Sequence, residues 1–209
     1  MILPEITLFP HALLPLYIFE PRYRRMIADS LTGHRLFIVA MRKSGCAREV
    51  PSNVAGLGLI RICVKNPDGT FHLILQGIQR VELVGTVRYK PYRVHRIRLM
   101  KSLPNDSVNV GALLAKVRDL VSKRIALGAP TSFVKGKNDN VPGPTMMDIM
   151  GYLKEIRNPE EVADLVSCAL LPGGAERQMI LETADLESRL QYLIHFLMDE
   201  ISEHRKHRG

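Results

Sequence analysis

Several groups of residues in this 209-residue chain have types and spacings that could carry chemistry. Glu20 and Arg22 flank Pro21 and set a carboxylate beside a guanidinium, the makings of an acid or base held by a cation. A carboxylate closing an apolar strand needs hydrogen bonds or a cation whether or not it reacts, so the simpler reading is an internal ion pair. Glu20 is then architectural, with Arg22 or Arg80 as its partner. Ser122 and Lys123 resemble a serine/lysine hydrolytic couple in type alone, since neighbours on a helix point to different sides. Glu200, Glu203, His204 and His207 share one helical face and could approach a metal. At a basic, fraying terminus they lack the partners that orient ligand imidazoles, and a solvated tail is expected, with no metal and no cofactor. His11 and His195 read as hydrogen-bonded structural residues.

Cys46, Cys63 and Cys168 are odd in number and far apart, which argues against a disulfide framework or a zinc knuckle. Cys63 falls in a strand pattern and Cys168 in a helical one, as small core residues would. No GlyXXXXGlyLysSer/Thr phosphate loop occurs. Gly56 and Gly58 continue a strand instead of opening a helix, so they suggest a bulge or a tight corner.

The segment Thr86 to Lys101, TVRYKPYRVHRIRLMK, interleaves Arg88, Lys90, Arg93, Arg96 and Arg98 with Tyr89, Tyr92 and His95 and contains no acid. Cations can neutralise phosphates while aromatic rings stack on bases, so the segment could bind RNA. The plainer alternative, an edge strand whose charges discourage sheet-to-sheet pairing, is favoured because no RNA-binding signature accompanies it.

The elements that must position these residues fall into two halves. Leu16 to Phe19 reads as a short buried strand ended by Glu20, and Pro21 suits the first turn of a helix through Asp29. Further strands are expected at 36–41 and 55–64. Asn66, Pro67, Asp68 and Gly69 form a turn in which glycine can accept positive φ, and a second hairpin arm follows from Phe71. From about residue 106 the pattern is helical. Leu113, Leu114, Val117, Leu120, Val121 and Ile125 mark one helix. Asn158 and Pro159 open another, and Asp185 caps the last, with Leu186, Leu190, Leu193, Ile194, Leu197 and Ile201 along one side. The charge divides at the same place: residues 1–105 hold 16 Lys/Arg against 6 Asp/Glu, whereas 106–209 hold 13 against 15.

LFP followed by LPLYIFEPRYRRMI resembles the opening of the LON N-terminal domain, the substrate-binding module at the head of the ATP-dependent protease Lon. The matching positions are Phe9, Pro10, Pro15, Leu16, Ile18, Phe19, Glu20, Pro21, Arg22 and Tyr23, with Gly77 and Arg80 in GIQRVEL further on. EVADLVSCALL and RQMILETADLESRLQYLIHFLMDEI continue the likeness toward the C-terminus. The resemblance implies an α+β fold, a PUA-like β-barrel over 1–105 followed by a helical bundle over 106–209. It also implies a non-enzymatic, stand-alone module that binds unfolded or exposed apolar polypeptide segments in protein quality control and serves a protease or chaperone.

Extended clients could add to a barrel edge or lie in the cleft between the halves. Apolar groups that helix geometry cannot all bury are the binding candidates: Phe133 and Val134 in a Pro- and Gly-rich stretch, and Met146, Met147 and Met150 beyond it. No stretch approaches a membrane span and no secretory leader precedes the first strand, so a cytoplasmic protein is expected.

Overall fold

The computed structural model describes residues 1–101, 108–127, 151–153 and 155–206, and the chain divides into two compact units, Met1–Lys101 and Ser102–Gly209. The first unit contains β1 (Ile2–Leu3), β2 (Leu13–Ile18), α1 (Pro21–Thr32), β3 (Leu36–Met41), β4 (Val54–Lys65), β5 (Phe71–Arg88) and β6 (Val94–Leu99). The sheet order is β1-β3-β4-β5-β2, with β6 also pairing β5; β1 joins β3 in parallel and the other pairs are antiparallel.

The expected barrel is not closed. At 18 residues β5 is long enough to serve two partners in succession, β2 along Phe71–Gln76 and β6 along Val81–Arg88. Both short strands therefore depend on β5, and among the described residues no pairing carries the sheet round from them to β1.

The local signals operate as physical chemistry requires. Pro21 occupies the first turn of α1, where its missing N–H is no loss. Gly69 takes φ +80 in the β4–β5 turn, donating its N–H to the Asn66 carbonyl (2.9 Å). The inner face of the sheet and α1 enclose a core that includes Leu8, Ile18, Tyr23, Ile27, Phe37, Ile60, Leu73 and Leu75. Leu8 and Phe9 cross this sheet so closely that a β-carbon on Gly56 would lie 2.0 Å from the Leu8 carbonyl oxygen, and one on Gly77 would lie 1.9 Å from that of Phe9. These positions are glycine because another backbone occupies the space of a side chain. A register shift between Leu57 and Gly58 places a bulge beside them.

The second unit contains α2 (Val108–Ala126), α3 (Pro159–Leu170), α4 (Gly174–Glu182) and α5 (Leu186–Lys206). Asn158 caps α3 by accepting the Glu160 N–H (3.0 Å), and Asp185 caps α5 by accepting that of Ser188 (2.8 Å). α5 lies along α2, its Leu190, Leu193, Leu197 and Ile201 are all buried, and α3 contacts both helices. Two arginines are buried in this apolar setting. Arg124 donates from Nε to Glu200 (2.7 Å), and Arg189 is held by Asp164 (3.2 Å) and Glu160 (3.3 Å).

Candidate functional site

The alternation of β2 decides which of its apolar side chains enter the core. Ile18 is buried and Leu14 and Leu16 are partly buried against the core, whereas Leu13, Tyr17 and Phe19 are 61%, 50% and 60% exposed. The expectation of a strand buried throughout is therefore corrected: among the described residues, β2 turns one face to the core and leaves the other exposed.

The outward residues of its neighbours extend the apolar surface. Pro15, Ile74 and Ile62 stand in one row across β2, β5 and β4, and Tyr17, His72 and Val64 stand in the next. Ile62 and Val64 are 54% and 56% exposed. The Tyr17 ring lies 4.8 Å from that of His72 and 6.0 Å from that of Phe19. Arg61 and Gln76 border the patch, joined by a hydrogen bond from Arg61 Nε (2.5 Å). Grouped exposed apolar side chains with a polar border are the signature of an interaction surface.

The backbone edge of β2 is less suited to pairing. Gly77 exchanges hydrogen bonds with His11 (2.8 Å) and Ala12 (2.9 Å), so its N–H and C=O face the β2 side. Period-two alternation then aims Leu75, Leu73 and Phe71 the same way, toward Leu14, Leu16 and Ile18. Leu13, Pro15 and Tyr17 consequently direct their backbone groups to the open edge. Pro15 offers no donor there, which blunts the edge against an added strand.

Around Glu20 the structure builds a surface ion cluster. Arg22 Nε donates to Glu20 (2.9 Å), and its two terminal nitrogens donate to both oxygens of Glu49 (2.7 and 2.9 Å). Glu20 is thus half-exposed at the start of α1 and not internal, while Arg80 lies elsewhere, buried with its guanidinium 5.8 Å from the Phe9 ring centre. The Arg22 hydrogen bonds hold the Glu49 carboxyl below its ordinary value of 4.5. A carboxylate depressed in the folded state contributes stability that is complete above the unfolded value and lost as pH falls through the folded one. We expect acid denaturation of the wild type to steepen below about pH 4.5 relative to Glu49→Gln, and parallel denaturation curves would refute this role.

The other anticipated residues are dispersed. Phe9 and Pro10 are buried, and Tyr23 uses its hydroxyl to bridge the Ile2 N–H (3.0 Å) and C=O (3.2 Å). Arg98 pairs with Glu82, Arg88 lies over the Tyr92 ring, and Arg93 donates to the Glu49 carbonyl (2.6 Å). Arg96 is exposed on β6, which pairs β5, and Lys90 is exposed before it. Three of these five cations, Arg88, Arg93 and Arg98, are therefore already engaged within the unit.

Glu200 is engaged by Arg124, His195 is an exposed partner of Asp199 (3.3 Å), and no metal-binding cluster occurs among the described residues. Ser122 donates to the Arg118 carbonyl and Lys123 pairs with Asp119, so neither is set for hydrolysis. Phe133, Val134, Met146, Met147 and Met150 lie outside the described residues. No described helix is long and apolar enough to cross a membrane.

Known proteins share this fold. The N-terminal domain of Lon protease from the Mycobacterium avium complex superposes with a TM-score of 0.73 at 15% identity, covering 95% of this chain and 96% of that one. The Lon N-terminal domain protein from Xanthomonas campestris superposes at 0.62 with 19% identity, over 93% and 96% of the two chains. In sequence, the Lon protease of Dictyoglomus thermophilum is 25% identical over 95% of this chain, and that of Trichlorobacter lovleyi is 26% identical over 89%. The chain spans 24% and 22% of those two proteins, so it corresponds to about a quarter of their length. Residues 1–199 match the family described as the ATP-dependent protease La (LON) substrate-binding domain, and the chain belongs to that family.

Proposed function

We propose that this chain is a non-enzymatic polypeptide-binding module in which the outer face of β2, β5 and β4 receives exposed apolar segments of unfolded clients. Leu13, Tyr17 and Phe19, standing outward beside Ile62 and Val64, are the observation that carries this reading. Such a surface suits quality control in the cytoplasm, delivering clients to a protease or chaperone. Its architecture would be a PUA-like sheet unit over 1–105 and a helical bundle over 106–209.

Clients are gripped by side chains on the face and not by backbone pairing, because Pro15 removes a donor from the open edge of β2. The RNA alternative, using Arg88, Lys90, Arg93, Arg96 and Arg98, is disfavoured by the partners that Arg93 and Arg98 already have.

The test is anisotropy titration of a labelled, permanently unfolded protein against the whole chain. Tyr17→Ser with Phe19→Ser should weaken binding about tenfold or more, because each exposed ring contributes roughly 1 kcal/mol of apolar contact. The melting temperature should be nearly unchanged, since neither ring is in the core. Wild-type affinity should hold as salt rises, whereas phosphate contacts would give a steep fall. Unaltered client binding by the double variant would overturn the proposal.

A further inference from the structure

The connection between β5 and β6, Tyr89 to Arg93, takes no part in the client capture proposed above. It borders a cavity of about 630 Å³ within the first unit, in the size range of small-molecule sites. Tyr23 and Met26 of α1 and Phe37 and Ile38 of β3 provide apolar wall. Tyr89, Lys90, Tyr92, Arg93 and His95 line it from the connection and the start of β6.

The hydrogen-bonding capacity at this wall is lopsided. Its two carboxylates are already occupied: Asp29 accepts from the Tyr92 hydroxyl (2.8 Å) and pairs with Arg25 (3.1 Å), and Glu49 takes both terminal nitrogens of Arg22. Donors remain. Arg93 commits one nitrogen to the Glu49 carbonyl, and exposed Lys90 has no hydrogen bond or ion pair among the described residues. An apolar wall with surplus cationic donors matches a ligand that is apolar through its body and negative at one end.

We propose that this cavity binds an apolar group bearing a single carboxylate, with Lys90 and Arg93 as its anion contacts. That chemistry has two sources, a free small carboxylic acid or the C-terminal residue of a polypeptide. The site is separate from the outer face of β2, so it stands or falls independently of client capture there.

The experiment is an NMR titration of the isotope-labelled whole chain with 4-phenylbutyrate, with its uncharged amide, and with a short peptide ending in phenylalanine as free acid and as C-terminal amide. Shifts should concentrate at Tyr89–His95 and along α1, and 4-phenylbutyrate should bind about tenfold more tightly than its amide. Lys90→Gln, an exposed substitution with no packing cost, should remove most of that preference while leaving amide binding in place. Preference for the free-acid peptide as well would identify chain termini as ligands; a response to 4-phenylbutyrate alone would identify small acids. No shift at Tyr89–His95 with any probe, shifts centred on Tyr17 and Phe19, or equal affinity for acid and amide would overturn the assignment.

Discussion

Gly77→Ala should destabilise the first unit by about 3 kcal/mol or more, near the upper end of overpacking costs, while Gly85→Ala in the same strand should change stability by less than about 1 kcal/mol. The two glycines differ in what faces them. A β-carbon at Gly77 would lie 1.9 Å from the Phe9 carbonyl oxygen and 2.8 Å from its carbon, whereas nothing lies within 4 Å of one at Gly85. The obstacle is backbone, which cannot rotate away as a side chain can. Nor can it retreat freely, because His11 donates to Gly77 and Gly77 to Ala12, binding the crossing segment to this point. Relief would require breaking those bonds or lifting Phe9, which is fully buried, out of the core. Thermal melts of the two variants against the wild type provide the comparison. Equal melting temperatures for Gly77→Ala and Gly85→Ala would show that the Leu8–Phe9 crossing does not constrain the sheet.

The same crossing shows why part of this fold is legible in the sequence and part is not. Pro21 at a helix start, Asn158 and Asp185 as caps and the Asn66–Gly69 turn are local devices, each completed within a few residues, and each is found where its chemistry places it. The need for glycine at 77 arises from residues almost seventy positions earlier, so from sequence it shows only as a break in a strand. β2 defeats periodicity for a different reason. Leu13 to Phe19 is apolar at every position, so the run carries no alternation to show that odd residues face outward. The candidate binding face was hidden by that uniformity, and one signal within it was usable: Pro15 belongs on an edge strand, and an edge strand of an open antiparallel sheet commonly has one uncovered face. The cavity beneath Tyr89–Arg93 had no local signal, because α1 and β3 contribute its wall. In the helices, Arg124 and Arg189 are among the largest fully buried side chains, a burial that no local pattern of residue types announces.

Burial of Arg189 sets up the other large effect. Asp164→Ala should cost the second unit about 3 kcal/mol or more, because it strips the buried carboxylate from a guanidinium that has no exposure to water. Glu160 also reaches Arg189, at 3.3 Å, but its side chain is about one-third exposed and its attraction is correspondingly screened. Removing both charges should be gentler than removing one. Asp164→Leu with Arg189→Met keeps similar volume and leaves no buried ion, so the pair should lose less stability than Asp164→Ala alone. Chemical denaturation followed by helical circular dichroism measures both. A double variant less stable than the single one would mean that the ion pair itself, beyond the cost of leaving Arg189 without Asp164, holds α3 against α5. Should Asp164→Ala unfold within about 1 kcal/mol of the wild type, the guanidinium must reach water or other acceptors with little rearrangement, and the buried pair would not be a keystone of this unit.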